Sequence, residues 1–468
     1  MRTDALVREI PADLARAALA GRLTGAHAFV LHSSLPDSRS RWSFFGADPF
    51  AVFGPADYDA AIALWREGRR AIGAAPESLP PFTGGLVGCW SYDFGRRLER
   101  LPSVARNDVD WPDAWLAAYD VVGAFDHTTH RAWLIADPPA SVDPAGARAK
   151  LEGFARRLEH PAAVLPARAF ATPARTRSTF TAGAYQRAVE AVREHIRRGD
   201  IFQANLSQRW TLPLDRAARR EAPATHARRL FAALAETSPA PFSAFVDLGD
   251  FAVASSSPER FLSVAGSRVE TRPIKGTRPR GHDAASDAEN AAALLASGKD
   301  RAENVMIVDV LRNDLGRVCR TGSVEVLELC ALESFPQVHH LTSTVAGELA
   351  AGRDAIDLLH ACFPGGSITG APKLRAMEIL EALEPVRRHL YTGAIGWLGW
   401  NGDADWNIAI RTAMVTREAI HFAAGGGITA DSDPDAEYRE TLDKAEGLRR
   451  AIAALAGPVA LVEEEARA

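Results

Sequence analysis

The sequence predicts an α+β protein built as a layered antiparallel β-sandwich flanked by helices. Three observations carry that reading. Short runs rich in Val, Ile, Phe, Trp and Thr, bounded by Gly, Pro, Asn and Asp, recur along the chain at strand length. Amphipathic stretches of helical length come in groups between these runs instead of after each one, which is not the pattern of a βαβ repeat. A hydrophobic fraction of 47% in 468 residues supplies a large core, and a usual size of about 100–200 residues per domain allows two or three regions. Neither an internal repeat nor a heptad array is present in the sequence.

Taken in order, residues 27–33 and 42–53 read as two strands joined by a polar segment, and 58–71 as a helix. Residues 84–92 form a buried strand whose glycines let another backbone approach closely. Strands at 115–126 and 131–136 pair across the turn between Asp126 and His130. Asp143 before Pro144 opens a helix to 158, a cap residue followed by proline at the first helical position. Residues 161–177, rich in Pro, Ala, Arg and Thr, have no sustained period and read as a linker. An N-terminal region at 1–160 thus precedes a second region at 178–456. In the second region Thr181 caps a helix to about 198, a strand follows at 201–209, and a long helix covers 216–236. Strands then crowd between 241 and 273, with helices at 285–297 and 300–316, strands at 324–348, and helices at 354–362 and 371–382. Three strands between 391 and 426 and a helix at 434–456 close the chain.

Composition excludes several classes. A net charge of −5 with the arginines spread out is not the basic footprint of a nucleic-acid binder. Four cysteines, Cys89, Cys319, Cys330 and Cys362, are too few and too scattered for a disulfide framework or a zinc site. The first nine residues carry charges where a signal peptide has its apolar run, and no apolar stretch reaches the ~18 residues of a membrane span. The expectation is a cytoplasmic enzyme with no membrane partner.

The chemistry gathers at residues 271–278. Pro273 and Gly276 are poor helix residues and the β-branched Ile274 and Thr277 flank one lysine, so the stretch reads as a short strand entering a glycine turn that holds Lys275. Residues 255–261 read as a further strand of the same meander, which would bring Glu259 into the cleft of Lys275. An amine and a carboxyl so placed suit a nucleophile and a general acid/base, although a lysine beside a turn is ordinarily solvated.

Glu303 lies one turn before Met306 and Ile307, where it either faces a cleft or simply favours the helix dipole. Glu437 and Glu440 stand three residues apart on one face of the last helix. Carboxylates from separate helices make a hard oxygen site of the kind Mg²⁺ uses beside an anionic substrate. Residues 365–370 have the Gly-x-x-x-x-Gly spacing of a P-loop, but Ala371 stands where that motif needs lysine. The run is better read as a loop feeding a helix N-terminus, with Lys373 near an anion. Gly425, Gly426 and Gly427 either bare their amides to a carboxylate or make a tight turn. Arg411, inside an apolar strand, needs a partner, for which a substrate carboxylate is a candidate. His340 is a candidate for proton transfer or for binding a hydroxyl, against the commoner structural use of a single histidine.

Together these stretches resemble the chorismate-utilising enzymes of the anthranilate synthase component I family, and within it the aminodeoxychorismate synthase branch. The resemblance rests on Ser257-Pro258-Glu259-Arg260-Phe261, Pro273-Ile274-Lys275-Gly276-Thr277, Ala302-Glu303-Asn304, the run from Pro364 to Lys373, and Glu437-Tyr438-Arg439-Glu440-Thr441. It covers nearly all of 180–455 and, more weakly, 26–135. Anthranilate synthases carry alanine where Lys275 stands, and isochorismate and salicylate synthases carry a water-activating lysine where this chain has Gln203. The resemblance implies that Lys275 adds to C2 of chorismate as the C4 hydroxyl leaves with a proton from Glu259. Ammonia then attacks C4 and expels the lysine, giving 4-amino-4-deoxychorismate for para-aminobenzoate and folate synthesis. It further implies Mg²⁺ on the ring carboxylate, held by Glu303 and Glu440 with Glu437 near it. Gly276, Thr277, Tyr391, Arg411, Gly425, Gly426 and Gly427 would line the substrate site, with His340 by the ring.

No cysteine stands on a Gly-x-Cys-x-Gly elbow, so ammonia is expected from a separate glutaminase subunit. Members of the branch can also hold a tryptophan in the N-terminal half. The matching positions are Ser33, Arg39, Ser40, Arg41, Trp42, Pro241, Phe242 and Ser243, of which Arg39 and Trp42 depart from the family's pattern. One rival is an anthranilate synthase component I, separated by Lys275. Another is a non-catalytic protein that binds a small anion through Arg411 and the three glycines, which leaves Glu259, Lys275, Glu303 and Glu440 unexplained.

Overall fold

The protein is seen in a computed structural model that describes residues 5–35, 40–69, 79–163, 174–335, 338–456 and 459–462. Among the described residues two large β-sheets, of thirteen and ten strands, form the centre of the fold. The larger sheet runs Leu6–Ile10, Arg131–Ala136, Val121–Asp126, Trp42–Gly46, Phe29–His32, Phe242–Asp247, Ala252–Ser257, Thr412–Val415, Ala419–Ile428, Gln203–Pro213, Ala174–Ser178, Val459–Val462, with Gly370–Ala371 joined to Gln203–Pro213. The smaller runs Ile274–Pro279, Val338–Glu348, Arg268–Thr271, Arg260–Ala265, Ala404–Ile408, Ala394–Gly399, Gly85–Trp90, Ala114–Tyr119, Ala51–Phe53, with Glu325–Ser334 on the other side of Val338–Glu348.

Alternation along each strand builds the layers. Phe29, Val246 and Val253 from the larger sheet meet Val87, Trp115, Ile395 and Trp397 from the smaller in a core between the sheets. The intervening residues Val30, Phe45, Phe245 and Phe422 face away and receive Leu151, Phe154, Leu230, Phe231 and Leu448 from helices Pro144–Leu158, Pro223–Thr237 and Pro434–Ala456. On the far face of the smaller sheet, Leu86, Leu116, Leu262 and Trp406 pack against Ile62, Trp65, Val308, Leu315 and Leu359 from three more helices. Fully burying a side chain of this size contributes about 1.5–3 kcal/mol, which is why a period-two pattern commits each strand so firmly to its two faces. The expected α+β sandwich flanked by helices is what the chain forms.

The helices fall close to their expected places because their end signals are local. Asp143 accepts from Ala145 and Gly146 N–H, and Thr181 from Ala184 N–H. The expected helix at 216–236 starts later, at Pro223, after a short 3₁₀ turn at Ala218–Arg220, because proline is accommodated in a first turn. Likewise Pro372 ends an extended segment, so the expected helix at 371–382 is Lys373–Leu383.

Three expected strands prove to be two each. Residues 42–53 leave the larger sheet at Gly46 and join the smaller at Ala51, turning at Asp48 with φ of 55°. Residues 115–126 change sheet at Asp120, whose buried carboxylate takes the Lys150 ammonium at 2.5 Å. The apolar run at 408–414 changes sheet across 409–411. Strands from both sides of residues 161–177 share both sheets, so the chain's two regions interleave in space. No helix among the described residues is long and apolar enough to cross a membrane.

Candidate active site

The site is built where the chain changes sheets. It crosses from Ala252–Ser257 to Arg260–Ala265 through Pro258 and Glu259, and returns from Ala404–Ile408 to Thr412–Val415 through 409–411. Backbone bonds lock the two crossings together: Ile408 N–H donates to the Glu259 carbonyl at 3.0 Å and Ser256 N–H to the Arg411 carbonyl at 3.1 Å. Arg411 is held there with φ of 49°, an uncommon conformation for a residue with a Cβ. The Glu259 carboxyl is buried, accepts from Ser367 Oγ at 2.6 Å and faces the Ile274 N–H. Burial pushes it up to about 7, against the opposing pull of Ser367, the Lys275 charge and the Ile274 amide. It can therefore hold a proton at neutral pH.

Lys275 is aimed by a break in strand register. Ile274 pairs with Thr342 and Thr277 with His340, so Lys275 and Gly276 bulge between them. Gly276 has φ of 83°, and a Cβ on it would stand 2.9 Å from Leu294 and 3.0 Å from Asp300. The lysine amine ends 3.5 Å from where a Cβ on Gly427 would be, a point 1.8 Å from the Gln203 amide nitrogen. Burial pulls the Lys275 amine down towards neutrality, with Lys444 adding to that pull and Glu303, Glu259 and Glu440 opposing it. Lys275 and Glu259 are thus near enough for the charge of each to act on the other.

The three glycines are not a turn. They lie inside Ala419–Ile428, with Gly425, Gly426 and Gly427 opposite Ser207, Leu206 and Asn205. A Cβ on Gly426 would stand 2.8 Å from Glu437 Oε2 and 3.5 Å from Glu440 Oε1, and one on Gly425 would stand 2.4 Å from the Leu206 carbonyl oxygen. The run is the floor of the site, kept bare so that amine and carboxylates can close over it.

Glu303 comes from helix Gly298–Gly316, and Glu437 and Glu440 from helix Pro434–Ala456. Burial raises Glu303 and Glu437, and the Glu440 charge adds to both shifts. Lys444 donates to Glu440 Oε1 at 2.6 Å and to the Gly425 carbonyl at 2.9 Å, and overrides the effect of burial to hold Glu440 low. Glu437 Oε1 accepts from Ser432 Oγ at 2.6 Å. Among the described residues no three Asp, Glu, His or Cys side chains close on one point. Mg²⁺ needs only one or two carboxylates beside water and substrate oxygens, so this all-oxygen donor set fits it.

The remaining expected residues divide. His340 is buried with Nδ1 2.9 Å from Thr277 Oγ1, and burial, with the Arg411 charge, carries it down to about 3. It is a neutral imidazole that orients Thr277. Tyr391 is buried beneath the Arg388 guanidinium, and Arg411 forms no ion pair among the described residues. Lys373 departs from its expected role near an anion. Its amine donates to Asp314 Oδ2 at 2.7 Å and to the Cys362 carbonyl at 2.8 Å, so its charge is spent tying a helix start to its neighbours. Ser367, Lys299 and Lys444 were not singled out in the sequence. A search at helical spacing from Glu303 and Glu440 could have found the two lysines, whereas Ser367 has no local signal.

Seven of the eight tryptophan-site positions, Ser33, Ser40, Arg41, Trp42, Pro241, Phe242 and Ser243, line a second cavity of about 280 Å³. Arg39 lies outside the described residues. Its other walls include Trp397, Arg260, Asp405 and Asn407. The two arginines of this cavity are paired: Arg41 binds Asp126 twice, and Arg260 binds Asp405 at 3.1 and 3.0 Å.

Comparison with known proteins adds the following. Residues 29–450 match the family described as chorismate binding enzyme. The chain is 39% identical over 439 residues to aminodeoxychorismate synthase component 1 of Bacillus subtilis, covering 90% of this chain and 91% of that one. It is 42% identical over 436 residues to anthranilate synthase component 1 of Thermus thermophilus, covering 91% and 92%. It also matches the solved structure of anthranilate synthase component I from Streptococcus pneumoniae with a TM-score of 0.75 at 30% identity, over 91% of this chain and 95% of that one. The two sequence relatives carry different product names at nearly equal identity.

Proposed function

Because the chain belongs to the chorismate binding enzyme family, we propose that it converts chorismate and ammonia into 4-amino-4-deoxychorismate, as an aminodeoxychorismate synthase component I. The observation that carries this choice is the half-buried Lys275, whose amine is drawn towards neutrality near a buried carboxyl that titrates at about 7.

In this reading the neutral amine adds to C2 of the ring, both ring double bonds shift, and the C4 hydroxyl departs as water with the proton of Glu259. Ammonia then attacks C4, both double bonds shift back, and the bond between C2 and Lys275 breaks. The Glu259 carboxylate recovers its proton from the incoming nitrogen. Arg411 and the bare strand at Gly425–Gly427 receive a substrate carboxylate, while neutral His340 holds Thr277 towards the ring. Glu303 and Glu440, with Glu437 beside them, would hold Mg²⁺, which when bound neutralises the ring carboxylate and draws electrons from the diene.

The test is product identity. Purified chain, chorismate, Mg²⁺ and an ammonium salt should give, by mass, a product that retains the enolpyruvyl group. Fluorescent anthranilate would overturn the reading in favour of the sibling activity, which the identity to the Thermus thermophilus relative favours. The four cysteine thiols are buried and burial raises them, which supports ammonia coming from a separate glutaminase subunit. Glutamine-dependent turnover by this chain alone would remove that part. The second cavity we assign to tryptophan; calorimetric titration should give saturable heat, and none up to millimolar ligand would remove the assignment.

A further inference from the structure

Two lysines stand on the acidic side of the site, and they are held very differently. Lys444 makes two bonds, to Glu440 and to a backbone carbonyl, and covers one carboxylate. Lys299, in the first turn of helix Gly298–Gly316, makes no hydrogen bond among the described residues. Its Nζ lies 4.0 Å from Glu303 Oε1 on its own helix and 3.8 Å from Glu437 Oε1 on helix Pro434–Ala456, and its side chain is 52% exposed. It therefore spans two helices by charge alone, at a distance where the attraction is real but screened by water.

We propose that Lys299 is a releasable counter-cation that competes with a divalent cation for Glu303 and Glu437, and so makes tight metal binding depend on substrate. The proposal rests on the reading of Glu303 as a metal-holding group with Glu437 beside the metal. A dication bound at oxygen distance, about 2.1 Å, and an ammonium about 4 Å away on the same carboxylates repel each other, so one must yield. The half-exposed lysine is the group free to leave, because among the described residues it makes no hydrogen bond and is held only by the charges of Glu303, Glu437 and, more remotely, Glu440. A bound substrate carboxylate adds negative charge that favours the dication over the monocation. By linkage the metal favours substrate to the same degree.

The test uses chelator-treated full chain and Mn²⁺ as the probe, with free Mn²⁺ read by electron paramagnetic resonance. Without chorismate, Lys299→Met should bind Mn²⁺ about two- to fivefold tighter than the parent, the range that exposed ion pairs support. The ratio of Mn²⁺ Kd values without and with chorismate should shrink by the same factor. Lys299→Arg, which keeps the charge, should stay within about twofold of the parent, and Lys299→Met combined with Glu303→Gln should lose the gain. If circular dichroism shows Lys299→Met unfolded, Lys299→Gln takes its place. An unchanged or weaker Kd in the neutral variant overturns the proposal, as does Mn²⁺ uptake by neither protein. The product assay judges the functional reading separately, since tightened Mn²⁺ binding together with an anthranilate product would sink that reading alone.

Discussion

Glu259 and Arg260 are consecutive residues, yet Glu259 belongs to the candidate active site and Arg260 lines the second cavity. The Glu259 carboxyl is buried against a serine hydroxyl and a backbone N–H, with a lysine nearby but no salt bridge among the described residues. The Arg260 guanidinium points into the second cavity, bonded twice to Asp405 and stacked on Phe242 with its charge 5.0 Å from the ring centre. The same contrast runs through both places. In the candidate active site Arg411 has no carboxylate partner among the described residues and Lys275 is pulled towards neutrality, whereas in the second cavity Arg41 and Arg260 are paired. Electrostatic imbalance marks where a reacting molecule supplies the missing charge, and balance marks a place that can at most bind one.

Breaking the imbalance should therefore cost activity, and breaking the balance should not. The largest effect is expected from Lys275→Ala, with a loss of at least about 10³-fold in 4-amino-4-deoxychorismate formation, because a nucleophile cannot be replaced by water at that point. Retained turnover in a mass-resolved assay would show that the amine is not covalently involved.

Glu259→Gln comes next, with a loss of about 10²–10⁴-fold. It carries a stability signature that a purely structural carboxyl lacks. Because the folded carboxyl titrates near 7 and the unfolded one near 4.5, the native state binds the extra proton between those values, and the parent loses stability as pH rises through that window. The variant has no such cost. It should be more stable than the parent by roughly 1–3 kcal/mol at pH 8, a gain that vanishes below about pH 4.5 in paired denaturation curves. For the parent, kcat/KM should fall as pH rises above about 7, when the proton donor is lost.

Gly427→Ala should lower kcat/KM about tenfold or more, because its methyl would lie where the Gln203 amide sits and close to the lysine amine. Steady-state kinetics at fixed fold content would check it. The smallest effect belongs to the balanced cavity. Arg41 is 44% exposed, and Asp126 keeps bonds from Thr128 N–H and Thr129 Oγ1 without it. Arg41→Ala should thus cost no more than about 1 kcal/mol in chemical denaturation and leave chorismate turnover within about twofold.

Helices and their caps were legible because each is decided within a few residues: Asp143 with Pro144, Thr181, and the acidic pair Glu437 and Glu440 all act where they stand. Lys275, Gly276 and Glu259 were legible as chemistry, and their convergence could be inferred from the short chain between them. Lys373 was misjudged because its partner, Asp314, lies on a helix 59 residues away. Ser367 was missed for the same reason, at 108 residues from Glu259.

By itself the sequence determined which residues alternate and where helices begin, since both follow from interactions between near neighbours in the chain. Only the tertiary structure decided that 42–53, 115–126 and 408–414 each divide between two sheets. Strands Trp42–Gly46, Ala114–Tyr119, Val121–Asp126, Ala404–Ile408 and Thr412–Val415 are buried almost throughout, so their apolar pattern reads the same whichever sheet they join. The choice is made by packing between distant strands, and two of the resulting crossings, at 258–259 and 409–411, hold Glu259 and Arg411 in place.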